Sequence, residues 1–243
     1  LTGSDTTGKD RPRILAMDTA TFGFSAAVRH GDATVAERFA SMARGQSEAL
    51  VPMIETVMAA SETDPTELDA IGVTIGPGAF TGLRIGLAAA RGMALALGTP
   101  CLGVTTTEAI AEGALLSETE GGLIVALDSK RDDLFVHCFG PQRTALGAPE
   151  AIAPDRLAER VSRISVGTGL TVIGDAADAA AALLNSAGVD CVVGRSEGIP
   201  NARNVAAITA RRWRPDEMPP PPAPLYLRPP DAIIPKNGGR LRP

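Results

Sequence analysis

The sequence predicts an α/β fold assembled from two copies of a βββαβαβα unit, and three observations carry that prediction. First, ILAMDTATFGFSAAV at 14–28 aligns without a gap with IVALDSKRDDLFVHC at 124–138. Each copy reads as a buried strand, an Asp followed by a hydroxyl residue, a turn and a second strand, and an internal repeat defines an architecture before any single motif does. Second, the chain after each hairpin alternates between helical spacing of apolar residues and short apolar runs. Third, only 3% of residues are aromatic while 44% are hydrophobic and 26 are Gly, a composition that suits closely packed α/β layers better than a β-sandwich.

In the first half, 13–18 is a strand and 22–29 its hairpin partner; His30-Gly31-Asp32 then turns the chain into a third strand, ATVAERFA. SEALVPMIETVMAA places Leu50, Ile54, Val57 and Met58 at helical spacing and predicts a helix over 47–60, with Val51 and Met53 widening its apolar surface. AIGVTI is the next strand, 82–97 the next helix, stopped by Gly98 and Pro100, and CLGVTT and TEAIAEGALLSE complete a strand and a helix. The second half is a sparser copy: PDRLAERVSRI, LTVIGDA, DAAAALLNSAG, DCVVG and the helix NARNVAAITARRW follow its hairpin. Two such units side by side are the plan of the actin-like (ASKHA, RNase H-like) superfold, shared by actin, Hsp70 and sugar kinases. The expected division is a first lobe at 13–105 and a second at 106–213, whose last helix is free to pack on the first lobe. RPDEMPPPPAP opens a Pro-rich strap and tail at 214–243, because proline fixes φ and lacks an N–H. Residues 1–12 are expected to be flexible.

With 28 acidic and 23 basic residues the net charge is −5, which argues against a broad phosphate-gripping face on this chain alone. Cys101, Cys138 and Cys191 are odd in number and lie in apolar runs, pointing to buried reduced thiols and a cytoplasmic protein rather than a disulfide framework or zinc site. No charge-free apolar stretch approaches the roughly 20 residues of a membrane span, and LTGSDTTGKD lacks the apolar core of a signal peptide. No membrane association is expected.

The first hairpin turn holds Asp18, Thr19 and Thr21, the candidates for nucleotide contact: Asp18 could orient a metal-bound water and the threonines could donate to phosphate oxygens. The same residues also satisfy turn backbone in ordinary proteins. The equivalent turn, DSKRDD at 128–133, adds carboxylates that repel phosphate unless Lys130 and Arg131 dominate. His30 in a turn and His137 in a strand have no partner at ligand spacing, so no metal site is expected. No G-x-S-x-G elbow occurs, so no catalytic residue is assigned.

GPGAFTGLRIG at 76–86 is the most unusual stretch. Bare backbone at a helix mouth suits an anion. Gly82, Gly86 and Ala90 with Ala89 and Met93 beside them also form a flat stripe, which permits helix axes closer than the usual 8–10 Å. That stripe fits either a partner protein or the chain's own sheet. Leu83, Leu87, Ala94 and Leu97 form a neighbouring apolar face, with Arg84 and Arg91 outside it.

ILAMDTAT, SEALVPMIETVM, LDAIGVTIGPGAFTGLRIGLAAARGMALALGTPCLGVTT, ALDSKRDDLFV and PLYLRPPDA together resemble the TsaB (YeaZ) family over residues 13–231, with the GPG-x-FTG-x-R-x-G run the most specific part. The resemblance implies a non-catalytic scaffold or activator that binds TsaD, its metal- and ATP-dependent paralogue, in the complex that makes N6-threonylcarbamoyladenosine at position 37 of tRNA. It implies pairing through the helices at 47–60 and 82–97, with Leu50, Val51, Met53, Ile54, Val57, Gly82, Arg84, Gly86, Leu87, Ala90 and Met93 at the interface. It further implies a TsaE-like ATPase and tRNA as partners within the complex, ATP and metal on the TsaD partner, and no cofactor held by this chain. A homodimer through the same helices is a further expectation. Two departures stand out: Gln46-Ser47 replaces the family's common His-Ser pair, and TsaD's metal-binding histidines have no counterpart. The competing reading is an independent actin-fold ATPase or phosphotransferase, or a glycoprotease-like peptidase; VIGDAADAA only faintly echoes an adenosine loop.

Overall fold

β1 (Arg13–Asp18) is apolar from Ile14 to Met17 because both of its faces are covered. It pairs antiparallel with β2 (Gly23–His30), which pairs with β3 (Ala33–Ser41), and parallel with β4 (Ala70–Gly76), which pairs with β5 (Cys101–Thr105). The first sheet therefore has the order β3-β2-β1-β4-β5. Leu15 and Met17 point to one side, where α1 (Gln46–Ala60) and α2 (Phe80–Leu97) supply Leu50, Ile54, Val57, Leu87 and Ala90. Ile14 and Ala16 point to the other. The computed structural model describes residues 11–42, 45–115, 121–164, 169–196 and 198–228; the tail beyond 228 and the start before 11, expected to be flexible, lie outside the described residues.

The second sheet repeats the plan. β6 (Leu123–Asp128) pairs antiparallel with β7 (Leu134–Gly140) and parallel with β10 (Leu170–Ile173), which pairs with β11 (Cys191–Val193). The third strand of this copy is divided into β8 (Thr144–Ala145) and β9 (Glu150–Ile152), both on β7, since Gly147 at φ 103° and Pro149 interrupt the run. α4 (Leu157–Ser162) and α5 (Ala177–Ser186) cover one face with Leu157, Val161, Ala180 and Leu184. The two sheets thus share one strand order and one helix placement, the actin-like duplication read from the repeat.

The remaining helices cross between halves. α6 (Ala202–Arg212) lays Ala202, Val205, Ala206 and Ile208 on Ile14, Ala16, Ala27 and Ala70 of the first sheet. Gly72 admits it, because a Cβ there would lie 2.2 Å from the Thr209 hydroxyl. α3 (Thr106–Glu112), capped by Thr105 with Glu108, lays Ile110 and Ala111 on Leu123, Val125 and Phe139 of the second sheet. It ends earlier than the sequence pattern suggests, at Gly113, where a Cβ would meet Asn204 Nδ2 of α6 at 2.8 Å. His30, expected in a turn, closes β2 instead, with Nε2 2.9 Å from the Thr63 hydroxyl. α2 is long and apolar enough by composition to cross a membrane, but its buried residues pack on the first sheet.

Candidate functional site

The β1–β2 turn and the glycine-rich segment meet at backbone contact. Ala79 N donates to Ala20 O at 2.7 Å, and the Thr19 hydroxyl donates to Gly82 O at 2.7 Å. A Cβ on Gly78 would lie 2.2 Å from Ala20 O, one on Gly82 2.1 Å from Thr19 O, and one on Gly86 2.5 Å from the Thr19 hydroxyl. The glycines of 76–86 therefore let the first turns of α2 lie directly across the β1–β2 turn. This bare backbone serves the chain's own fold.

That contact corrects the expectation for the turn residues. Asp18 and Thr19 have no exposed surface, so neither faces a nucleotide in this conformation. Asp18 Oδ1 accepts from the Thr74 hydroxyl at 2.7 Å and from Ala20 N at 3.1 Å, while its buried Oδ2 has no hydrogen-bond partner. Burial pushes its carboxyl up to about 7, against the lowering effect of the Thr74, Ala20 and Thr19 hydrogen bonds. The Thr21 hydroxyl is likewise buried without a partner. Gln46 Nε2 ties the start of α1 to this turn through Thr21 O at 3.2 Å.

The second-lobe turn is also filled by the chain itself. Asp128 takes Lys130 N and Lys130 Nζ, each at 2.6 Å, and the hydrogen bonds from Lys130 hold its carboxyl below the usual range. Arg228, from the strap, donates Nε to Asp133 Oδ2 at 2.7 Å and Nη2 to the Ser129 hydroxyl at 2.9 Å.

The outer surface of α1 and α2 is different. Val51 is 52% exposed and Phe80 54%, and between the helices runs a groove of about 510 Å³ lined by Ser47, Val51, Phe80, Thr81, Arg84, Ile85 and Ala88. Of the residues expected at a partner surface, Val51 and Arg84 are exposed and Met53 and Met93 half-buried. Leu50, though buried, lines the groove, whereas Ile54, Val57, Gly82, Gly86, Leu87 and Ala90 are a correction: α1 turns Ile54 and Val57 onto the first sheet, and the glycine stripe of α2 faces β1 and Thr19 rather than solvent. Phe80, Ile85, Ala88 and Tyr226 were not singled out by sequence. Phe80 stood inside the glycine-rich motif, but nothing local announced that Tyr226 stacks on it with ring centroids 5.5 Å apart.

The cysteine thiols are not activated. Burial pushes the Cys101 thiol up to about 12 and Cys138 up to about 11. His137 is occupied, with Nδ1 2.8 Å from the Thr107 hydroxyl and Nε2 3.1 Å from Gly147 O, and desolvation lowers its pKa.

Sequence comparison decides the family. The family model for TsaD, tRNA N6-adenosine threonylcarbamoyltransferase, matches residues 35–190. The tRNA threonylcarbamoyladenosine biosynthesis protein TsaB of Escherichia coli is 31% identical over 166 residues, covering 65% of this chain and 71% of that protein. The chain belongs to the TsaB (YeaZ) family. Within the TsaB family, proteins of the same name from Haemophilus influenzae and Bacillus subtilis also match, over 50% and 59% of this chain. An uncharacterized protein of Mycobacterium tuberculosis is 32% identical over 222 residues, 90% of this chain and 93% of its own. The TsaB-type fold is shown by a Pseudomonas aeruginosa protein described as similar to peptidase YeaZ, at TM-score 0.76 and 24% identity over 89% of this chain and 100% of that one.

Proposed function

We propose that this chain is a scaffold subunit that docks a TsaD-like paralogue on the outer face of α1 and α2 and so supports threonylcarbamoyladenosine formation on tRNA. The observation that carries the reading is the exposed apolar groove between those helices, with Val51 and Phe80 more than half exposed. Apolar surface of this kind, rimmed by polar residues, favours a protein partner. The TsaD family model matches this chain across both helices. A TsaD relative carrying equivalent helices can therefore pair with it about a pseudo-two-fold axis, as identical chains do about a true one. A TsaE-like ATPase and tRNA join through the assembled complex, in the cytoplasm, and ATP and metal belong to the TsaD-like subunit. The burial of Asp18 and Thr19 in the β1–β2 turn disfavours an independent ATPase, and the buried, raised Cys101 and Cys138 thiols disfavour a thiol peptidase.

Titration of the chain with the TsaD homologue of the same organism tests the reading. Val51→Asp puts a charge into the groove and is expected to weaken binding by more than about tenfold, with an unchanged melting temperature, since buried unpaired charge at an interface costs well over 1.4 kcal/mol. Unchanged affinity would overturn the docking face. Micromolar ATP binding with turnover that vanishes in Asp18→Ala would replace the scaffold by an enzyme, and self-association lost in Val51→Asp without TsaD binding would replace it by a homodimer.

A further inference from the structure

The strap brings a distant part of the chain to the proposed docking face. After α6 it crosses the first sheet at β4 and β5. Pro222 seats where Gly103 has no side chain, and Leu225 N donates to Ile75 O at 2.7 Å. The next residue, Tyr226, stacks on Phe80 at an interplanar angle of 27° and accepts from Arg84 Nε at 3.0 Å. The Arg84 guanidinium lies 3.7 Å over the Phe80 ring, so three side chains from two distant segments form one cluster at the mouth of the groove. Two residues later Arg228 grips the β6–β7 turn of the other lobe, through Asp133 and the Ser129 hydroxyl, with its guanidinium 5.5 Å from the centre of the Phe135 ring. Ser129 in turn donates to Asp133 Oδ1 at 2.6 Å, which fixes the acceptor.

From this arrangement we infer that Arg228 is a positioning residue for partner binding: anchored on Asp133 and Ser129, it holds Tyr226 against Phe80 and Arg84 as the rim on which the TsaD-like partner closes. The inference rests on the α1/α2 reading above. The physical case has two parts. Tyr226 and Phe80 remain 44% and 54% exposed while packed on each other, and Tyr and Arg are residue types enriched among those that carry binding energy once a partner desolvates them. The segment that presents Tyr226 reaches the first sheet through Pro222 at Gly103 and Leu225 N on Ile75 O, and the Arg228 anchor on its far side removes freedom that docking would otherwise have to remove. Arg228 and Asp133 are only 25% and 22% exposed, so the pair is less screened by salt than a surface bridge.

A double-mutant cycle on the full chain, titrated with the TsaD homologue, tests this. Arg228→Ala and Tyr226→Ala are each expected to weaken binding by about tenfold, and the double variant no further than either alone, because both remove one rim. The swap Asp133→Arg with Arg228→Asp is expected to recover part of the loss, which a purely local packing defect would not do. Wild-type affinity in Arg228→Ala while Val51→Asp abolishes binding would overturn the positioning role and leave the docking face standing. Wild-type affinity in both would overturn the docking face itself, and additive losses in the double variant would show that Arg228 acts independently of Tyr226. If Arg228→Ala unfolds below the assay temperature, Arg228→Gln, which keeps the reach without the charge, is read by the same criteria.

Discussion

Asp18 ends β1 with its carboxylate wholly out of solvent, and what it does to stability follows from the sign of its displacement. Its ordinary value is 3.8 and burial takes it to about 7, so the folded state holds a proton that the unfolded chain releases. The contribution is fully present below 3.8 and is lost as pH rises through about 7, a span worth ~4 kcal/mol. Asp18→Asn removes this titration while retaining an acceptor for Thr74 and Ala20. Its amide NH2 replaces the unpartnered Oδ2, at a pH-independent cost of about 1–3 kcal/mol. The wild-type melting temperature is therefore expected to fall relative to Asp18→Asn between pH 5 and pH 8, as followed by calorimetry. Parallel curves for the two proteins would show that Asp18 does not titrate in that window.

The behaviour of α2 as an element depends on which of its faces meets what. Gly82 and Gly86 face Thr19, so a methyl group at 82 would drive into the Thr19 carbonyl. Gly82→Ala is expected to destabilise by about 1–3 kcal/mol through overpacking, while the fraction that remains folded binds the partner as the wild type does. Normal stability with lost binding would return the stripe to the interface. Helical spacing made the stripe and the neighbouring Leu83 and Leu87 legible, together with the duplication and the bounds of α1, α2, α5 and α6 to within a residue or two, but not the early end of α3 or the divided third strand of the second lobe. It could not say whether the stripe met a sheet or a partner, because α2 is apolar on adjacent faces and only the path of β1 into its turn decides. The burial of Asp18, Thr19 and the Thr21 hydroxyl was hidden for the same reason: their chemistry suits phosphate as well as turn backbone, and what crosses the turn is a helix that begins more than fifty residues later. Tyr226 was beyond local reasoning altogether, since its place on Phe80 depends on how a Pro-rich segment returns across β4 and β5.

For the whole molecule, the repeat in the sequence is not the unit that can stand alone. The first sheet buries Ile14, Ala16, Ala27 and Ala70 under α6, which comes from the second half, and the second sheet buries Leu123, Val125 and Phe139 under α3, which comes from the first. The exchange is reinforced by Ala202 N donating to the Ser25 hydroxyl at 2.9 Å and by Asn204 Nδ2 donating to Ala109 O at 2.9 Å. A fragment ending at residue 105 keeps β1 to β5 with α1 and α2 but leaves one face of its sheet in water. Apolar burial is the main favourable term in folding and a small domain has little of it to spare. Such a fragment is expected to show no cooperative calorimetric transition and to associate through the bare face, whereas mixing it with the complementary fragment from residue 106 onward should restore a single transition. A monomeric 1–105 fragment that melts sharply by itself would show that α6 is dispensable to the first sheet, and that the two halves fold as independently as their repeated sequence suggests.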